Sequence, residues 1–405
     1  MGEPRRSGRA SIPERRRQRA ASIALYDSGV AQLLFSVDQR GGTPVVHLTL
    51  DGERIEIPPL WLRERSRAPS QLDLVSEQRL FDPHHLDAEL SLLDARADEG
   101  ALWARFSDGH DETFPLDLLA EAIDPDDGCP AAVAWTAALG APPAHDWRVV
   151  AHDDAGLLGA LHDFIRFGMI VVHGAPTEPD TVLAIAERFG YVRQTNFGRM
   201  FDVRSVPDSN DLAYRAIGLG PHTDNPYRVP VPGIQLLHCL VNQTSGGLST
   251  LVDAVAVTDE LRRVDPDSFD LLTTTIVRFR FRDDDTELIS NRPVVAIDHR
   301  GRVTGLHYSP RMDFVPLMPA TQARAYQRAR NQLAQLLSDP SFEIRFRLDP
   351  GQAMIFSNDR VLHGRTAFDV NEGHRHLQGC YIDHDAPLSR YRVLARAAVA
   401  ARNED

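Results

Sequence analysis

The chain has 405 residues, of which 42% are hydrophobic, and a formal net charge of −13. That length exceeds what one hydrophobic core usually fills, so two domains are expected, and the acidic balance argues against a sequence-independent grip on nucleic acid or anionic lipid. All 44 basic residues are arginine, which excludes a lysine Schiff base and a P-loop lysine. Cys129, Cys239 and Cys380 are the only cysteines and lie far apart, which suits neither a disulfide framework nor a cysteine-built zinc site. No apolar stretch reaches the roughly 20 residues of a membrane span. The expectation is a cytoplasmic protein whose partner is a small molecule rather than nucleic acid or membrane, with a homodimer left open.

Residues 1–29 open with "MGEPRRSGRASIPERRRQRAAS", read as a disordered basic tail. Glu3, Glu14 and the prolines weigh against a targeting signal. From 30 to 125, "PVVHLTLDGERIEIP" and "ALWARFSDGHDETFPLDLLAEAI" alternate with a period of two around Asp-Gly turns, the pattern of a small antiparallel β domain that ends in a helix. The Asp-, Pro-, Gly- and Ala-rich stretch 126–149 reads as a linker. A larger domain is expected over 150–395, with 396–405 as a C-terminal tail.

Within that larger domain, "AGLLGALHDFIRFGMIVVHGAP" predicts an amphipathic helix running into a buried strand. "EPDTVLAIAERFG" predicts a second helix, with Asp180 or Thr181 near its cap. Short apolar runs follow: "GIQLLHCLV", "LSTLVDAVAV", "TTTIVRFRF", "RPVVAIDHR", "FEIRFRLDPGQAMIFSN" and "HLQGCYIDHD". One helical insertion, "ATQARAYQRARNQLAQLLSD", interrupts them, and "SRYRVLARAAVAARN" closes the chain as a helix. Many short strands with flanking helices indicate a mainly β, α+β fold with a β-sandwich or jelly-roll core.

In "PHTDNPYR", His222 and Asp224 stand two apart. On extended backbone they project from one face and can reach a common point. A third ligand is supplied by His363 in "NDRVLHGRTAF", just after the strong strand "GQAMIFSN". Two imidazoles and a carboxylate on one face suit non-haem Fe(II) with open coordination positions. Taken singly, an H-x-D pair reads as well as a hydrogen-bonded surface couple, and a histidine before glycine as a turn residue. Arg375, in "GHRHLQGCY", tips the balance. A strand returning from His363 brings its planar fork, suited to a carboxylate, into the same cavity.

With "WLRER", "EQRLFD", "TNFGRMFDV", "LAYRAIGLGPHTDNPYR", "GIQLLHCL", "GGLSTLVDA", "HGRTAF" and "RHLQGCYIDHD" in this order, residues 40 to 395 resemble the Fe(II)/2-oxoglutarate dioxygenases of the taurine dioxygenase superfamily. The γ-butyrobetaine and trimethyllysine hydroxylase branch is the nearest match. The resemblance implies a double-stranded β-helix behind a smaller N-terminal β domain, with iron on His222, Asp224 and His363. It also implies 2-oxoglutarate on Arg375, with Ser249 or Thr250 beside it, and a glycine turn between strands is the other reading of that stretch. The implied reaction consumes dioxygen and 2-oxoglutarate, releases succinate and carbon dioxide, and hydroxylates a C–H bond of the substrate.

Two departures from that pattern matter. Where the family commonly holds zinc through a C-x-C-x-x-C stretch, "WLRERSRAPSQ" carries Ser66, Ala68 and Gln71, so no structural zinc is expected. The butyrobetaine hydroxylases resemble one another in an aromatic cage around a trimethylammonium group. The positions matching it here are Phe197, Phe201, Tyr214, Asn225 and Tyr381, with a Phe for a Trp and an Asn for a Tyr. An apolar pocket wall is the other reading of these rings. Asp211 and Ser309 stand where amides tend to meet a substrate carboxylate, so a different anionic end, or none, fits as well. Arg215, Arg228 and Arg311 are candidates for an acidic group, with a surface or ion-pair arginine as the other reading of each. The leading expectation is hydroxylation of a small cationic or zwitterionic metabolite. The alternatives are the same cofactors acting on a sulfonate, phosphonate or amino acid, and a non-catalytic sensor of iron or 2-oxoglutarate.

Overall fold

The computed structural model describes residues 34–40, 42–50, 53–98, 100–123, 127–204, 217–369 and 371–404. The expected tail 1–29 lies outside the described residues. The chain divides into two compact units, 1–127 and 128–405.

The first unit is built of hairpins. Strands β1 (Leu34–Arg40), β2 (Thr43–Leu50) and β3 (Glu53–Ile57) form one antiparallel sheet, and β4 (Leu92–Asp98), β5 (Ala101–Phe106) and β6 (Asp111–Pro115) a second. A short helix, α1 (Pro59–Arg63), follows β3, and α2 (Leu116–Ile123) follows β6. The alternation read from the sequence has a direct physical cause. Leu102, Ala104 and Phe106 face one way along β5 and join Val46, Leu48, Leu62 and Phe114 in a single apolar core.

In the second unit, β7 (Ala144–Asp146) lies in the stretch read as a linker and pairs in parallel with β8 (Met169–His173). Trp135 from the same stretch donates its backbone N–H to Asp253 (2.9 Å) and its indole N–H to the Phe167 carbonyl (2.8 Å). Between these strands runs α3 (Asp154–Phe167), which opens on Asp153, whose carboxylate accepts from the Gly156 N–H. It closes on Gly168 at φ 71°, a left-handed position that glycine takes without strain. Helix α4 (Thr181–Phe189) begins after Asp180, whose side chain makes no capping bond.

The barrel follows. Strands β9 (Phe201–Arg204), β10 (Leu219–His222), β11 (Ile234–Asn242) and β12 (Ser249–Asp253) lead into helices α5 (Ala254–Val264) and α6 (Pro266–Thr274) and the hairpin β13 (Val277–Arg282) and β14 (Glu287–Arg292). Helix α7 (Ala320–Leu337) is the expected insertion. It precedes β15 (Glu343–Phe346), β16 (Ala353–Ser357), β17 (Val361–Arg365) and β18 (Arg375–Ile382). Helix α8 spans Asp385–Glu404, so the expected tail from 396 is helical up to its last described residue.

Six strands form one sheet in the order β9-β18-β11-β16-β8-β7, and four form the other in the order β10-β17-β12-β15. The two make a jelly-roll core with helices outside it. Side-chain parity along β11 shows the layering. Ile234 and Leu236 pack outward onto Leu157, Leu161, Val182 and Ile185 of α3 and α4, while Leu237 and Cys239 turn inward to meet Leu251, Met354, Phe356 and Leu377. Among the described residues no helix is long and apolar enough to cross a membrane.

Candidate metal centre

Antiparallel pairing of β10 with β17 sets His222 directly opposite His363, and their ring centroids are 4.3 Å apart. Asp224 lies two residues beyond the end of β10. Its Oδ1 is 3.5 Å from Nε2 of His222 and 3.8 Å from Nε2 of His363. Among the described residues this is the one group of three His, Cys, Asp or Glu side chains whose ligand atoms all come within 4.8 Å of one another. Three donors at this spacing could hold one first-row metal ion from a single side.

The outer contacts fix two of the ligands, His222 and Asp224, in the forms a metal needs, while Nδ1 of His363 is buried without a partner. Nδ1 of His222 faces the Gly220 carbonyl at 3.0 Å. It therefore carries the proton, and Nε2 presents its lone pair to the centre. The Asp224 backbone N–H donates to Oδ1 of Asn358 (2.7 Å), and Nδ2 of Asn358 donates to the Asp224 and Pro232 carbonyls (2.9 and 3.0 Å). Asn358 is fully buried, so this amide clamp holds the loop on both sides of the carboxylate. The Tyr381 hydroxyl donates to Oδ2 of Asp224 at 2.8 Å.

Burial alone would raise the Asp224 pKa. The His363 and His222 imidazoles and the Tyr381 hydroxyl outweigh it and hold the carboxyl well below the usual carboxylate range. His363 is pushed down to about 3, chiefly by burial and then by His222. Tyr381 is raised by burial and by the Asp224 charge. A carboxylate at Asp224 and a neutral imidazole at His363 are protonation states metal binding requires.

The ligands open into a cavity of about 90 Å³ between the two sheets. Arg375 lines it from the start of β18. The guanidinium is buried, its Nε meets no acceptor, and it lies over the Phe368 ring at 5.7 Å without an ion pair among the described residues. A buried cation in that state fits a bound anion. Gly247 gives the guanidinium room, because a Cβ there would come within 3.1 Å of Arg375 Nε. Of the two hydroxyl candidates, Ser249 lines the cavity. Thr250 faces the other way, and a Cβ on its partner Gly364 would lie 2.7 Å from its Oγ1.

The residues singled out for substrate scatter more widely. Phe201 lines the cavity and stacks 5.3 Å from Tyr381, over Gly379, where a Cβ would come within 2.6 Å of the ring. Phe197 is 40% exposed and packs on Phe281 at 5.9 Å. Asn225 sits at φ 54° and accepts from the Tyr227 hydroxyl. Ser309 lines a separate cavity of about 170 Å³ against α7, with His307, Asp313 and Arg330. Tyr214, Asp211 and Arg215 lie outside the described residues.

Residues 133–381 match the family described as Taurine catabolism dioxygenase TauD, TfdA family. The chain belongs to the TauD/TfdA dioxygenases. Among curated relatives, this dioxygenase is 36% identical to the gamma-butyrobetaine dioxygenase of Pseudomonas sp. (strain AK-1), over 85% of this chain and 92% of the relative. It is 30% identical to dioxygenase str8 of Strobilurus tenacellus, over 82% and 84%. It is also 29% identical to the mitochondrial trimethyllysine dioxygenase of Gallus gallus, over 84% and 83%. It is a 2-oxoglutarate-dependent iron dioxygenase of that branch, with His222, Asp224 and His363 as the iron triad.

Sequence reasoning passed over two residues around this centre. Asn358 could have been noticed as a polar residue closing the apolar run "AMIFSN", and Gln235 as a single amide inside "GIQLLHCL". Nothing in the sequence signals that the Tyr381 hydroxyl reaches Asp224.

Proposed function

We propose that this dioxygenase hydroxylates a C–H bond of a small zwitterionic metabolite of the betaine class. It would consume 2-oxoglutarate and dioxygen and release succinate and carbon dioxide. The observation carrying this reading is the joining of an iron triad, through one cavity, to a buried guanidinium without a counter-ion. The resemblance to a gamma-butyrobetaine dioxygenase supports the substrate class.

Bound ferrous iron would supply the dioxygen chemistry. The protein's own part is positional. His222, Asp224 and His363 hold the ion and leave a face open. Arg375 pairs with the distal carboxylate of 2-oxoglutarate, with Ser249 beside it. Phe201 and Tyr381 wall the approach, holding the substrate carbon near the metal and keeping water away.

A second reading is favoured by one contact. The Arg228 guanidinium lies 5.8 Å from the Phe197 ring centroid and 5.7 Å from that of Tyr227. A cation already resting on two rings disfavours a trimethylammonium group on the same faces and favours a sulfonate, phosphonate or amino acid. Oxygen uptake with Fe(II) and 2-oxoglutarate, measured across betaines, sulfonates, phosphonates and amino acids, decides between them. Stimulation by betaines alone supports the first reading and stimulation by anions alone the second. Flat uptake, with iron and 2-oxoglutarate still bound, would mean a sensor rather than an enzyme.

A further inference from the structure

The wall that the six-stranded sheet turns toward the metal is carbon almost throughout: Phe201, Val203, Leu237, Met354 and Leu377. Besides Arg375 and the Tyr381 hydroxyl, which is spent on Asp224, the exception is Gln235. It lines the cavity and is 2% exposed, and its amide oxygen is buried without a donor. Its side chain makes no hydrogen bond among the described residues. Leaving a buried amide unpartnered is costly, so a polar group held in that state by the fold fits a ligand that satisfies it.

Its place along the strand says which part of a ligand it meets. Gln235 is in register with Tyr381, whose hydroxyl touches Asp224, so it stands at the metal end. Arg375 starts the same strand at the opposite end. The two polar groups bracket the cavity lengthwise.

We propose that Gln235 is a cosubstrate-positioning residue, its amide N–H donating to the carboxylate that adjoins the ketone of 2-oxoglutarate. A half-turn of the terminal amide exchanges acceptor for donor without moving other atoms. A neutral amide also suits the chemistry better than a cation would. That carboxylate must leave as uncharged carbon dioxide, and a guanidinium would stabilise the ground state more than the transition state. The inference rests on the reading of Arg375 as the anchor of the distal carboxylate.

The test is an anaerobic titration of the Fe(II)-loaded protein, followed by the charge-transfer absorbance of the iron–oxo acid complex. The probes are 2-oxoglutarate and 2-oxobutyrate, which keeps the keto acid and lacks the distal carboxylate. Gln235→Leu is expected to weaken both probes by about ten- to hundredfold, the loss of one hydrogen bond to a charged group, and to displace the band while Fe(II) affinity stays at the parent value. Gln235→Glu, of nearly the same shape, is expected to weaken both further by like-charge repulsion. Arg375→Gln should weaken 2-oxoglutarate alone. Parent-like binding of both probes to Gln235→Leu, or an effect confined to the KM of the substrate, overturns the inference, as does loss of iron from both Gln235 variants. If Arg375→Gln also binds 2-oxoglutarate normally, the anchor reading fails with it.

Discussion

Among the described residues, His110 with Glu112 and His222 with Asp224 both set a histidine and an acid two positions apart in one cluster, and ligand atoms of three such side chains converge only in the second. In the first unit, His110 and Glu112 meet Ser66. Oε1 of Glu112 accepts from the Arg67 backbone N–H (2.8 Å), and Oε2 takes both the Ser66 hydroxyl and His110 Nε2 (3.0 Å). Nearby, Arg63 ties Asp108 to Gln71 (2.8 and 3.0 Å). Every carboxylate oxygen is engaged by a donor, so the cluster is a closed hydrogen-bonded knot. In the second unit, Oδ2 of Asp224 takes the Tyr381 hydroxyl, while Oδ1 faces two imidazole nitrogens at 3.5 and 3.8 Å. Lone pairs converge there on an open point. The H-x-acid spacing puts two side chains on one face. A third ligand from another strand and uncommitted lone pairs make the site.

The sharpest break of this comparison is removal of a carboxylate from each cluster. Asp224→Ala is expected to abolish iron retention and reduce turnover to background, measured by metal analysis and succinate formation. Glu112→Ala should leave iron content and kcat at parent values, because both oxygens of that carboxylate are already taken by donors. A parent-like iron content in Asp224→Ala would remove the basis of the contrast.

A second experiment tests the contact that distinguishes Asp224 from Glu112. Tyr381→Phe keeps the ring against Phe201 and deletes only the hydroxyl on Oδ2. Outer contacts of this kind are worth about 10- to 100-fold in metal affinity, and that loss is expected in Fe(II) titrations. Should only the substrate KM change, Tyr381 would be a pocket wall and nothing more.

How much of this could be read beforehand follows from the range over which each feature is determined. The triad was legible because the H-x-D spacing of His222 and Asp224 can be read locally, and because His363 follows closely on the apolar run of β16, with Arg375 opening the next strand. The order of strands and helices was legible for the same reason: local alternation in β5 and β11 reports burial directly. The stretch 126–149 was not, since its Pro- and Gly-rich composition hides Trp135, which anchors to Asp253 more than a hundred residues away. The substrate residues fared worst. Ser309 and Phe197 follow motif positions, yet what each side chain meets, a cavity against α7 or the Phe281 ring of β13, depends on how those elements pack, and no local pattern encodes that. The Tyr381–Asp224 bond spans 157 residues.

The Glu112 variant has a second expected outcome that measures the knot itself. Removing the carboxylate leaves the Ser66 hydroxyl and the His110 ring with only each other (3.2 Å) and the Arg67 N–H to solvent, and the lost hydrogen bonds are expected to cost about 1 kcal/mol. Denaturant unfolding of Glu112→Ala should show that loss, with the Ser66→Ala change smaller because it removes a single donor.

The smallest expected effect concerns a histidine that belongs to neither cluster. His238 is fully buried, both ring nitrogens lack partners, and burial alone pushes its pKa down to about 4. Its unfolded value is about 6.5. Between those pH values the unfolded chain binds a proton that the folded chain refuses, so stability falls as pH drops from 6.5 and levels off near 4. Above 6.5 both states are neutral and the contribution to pH dependence vanishes. His238→Leu removes this slope. Relative to the parent it should gain on the order of 1 kcal/mol at pH 5.5 compared with pH 7.5, read from urea midpoints at the two pH values. His363 is pushed down further by burial, yet there the neutral imidazole has a use as a ligand. Identical slopes for parent and variant would mean that His238 finds a proton acceptor in the folded state. Burial alone would then not separate a histidine of the core from a histidine of the metal centre.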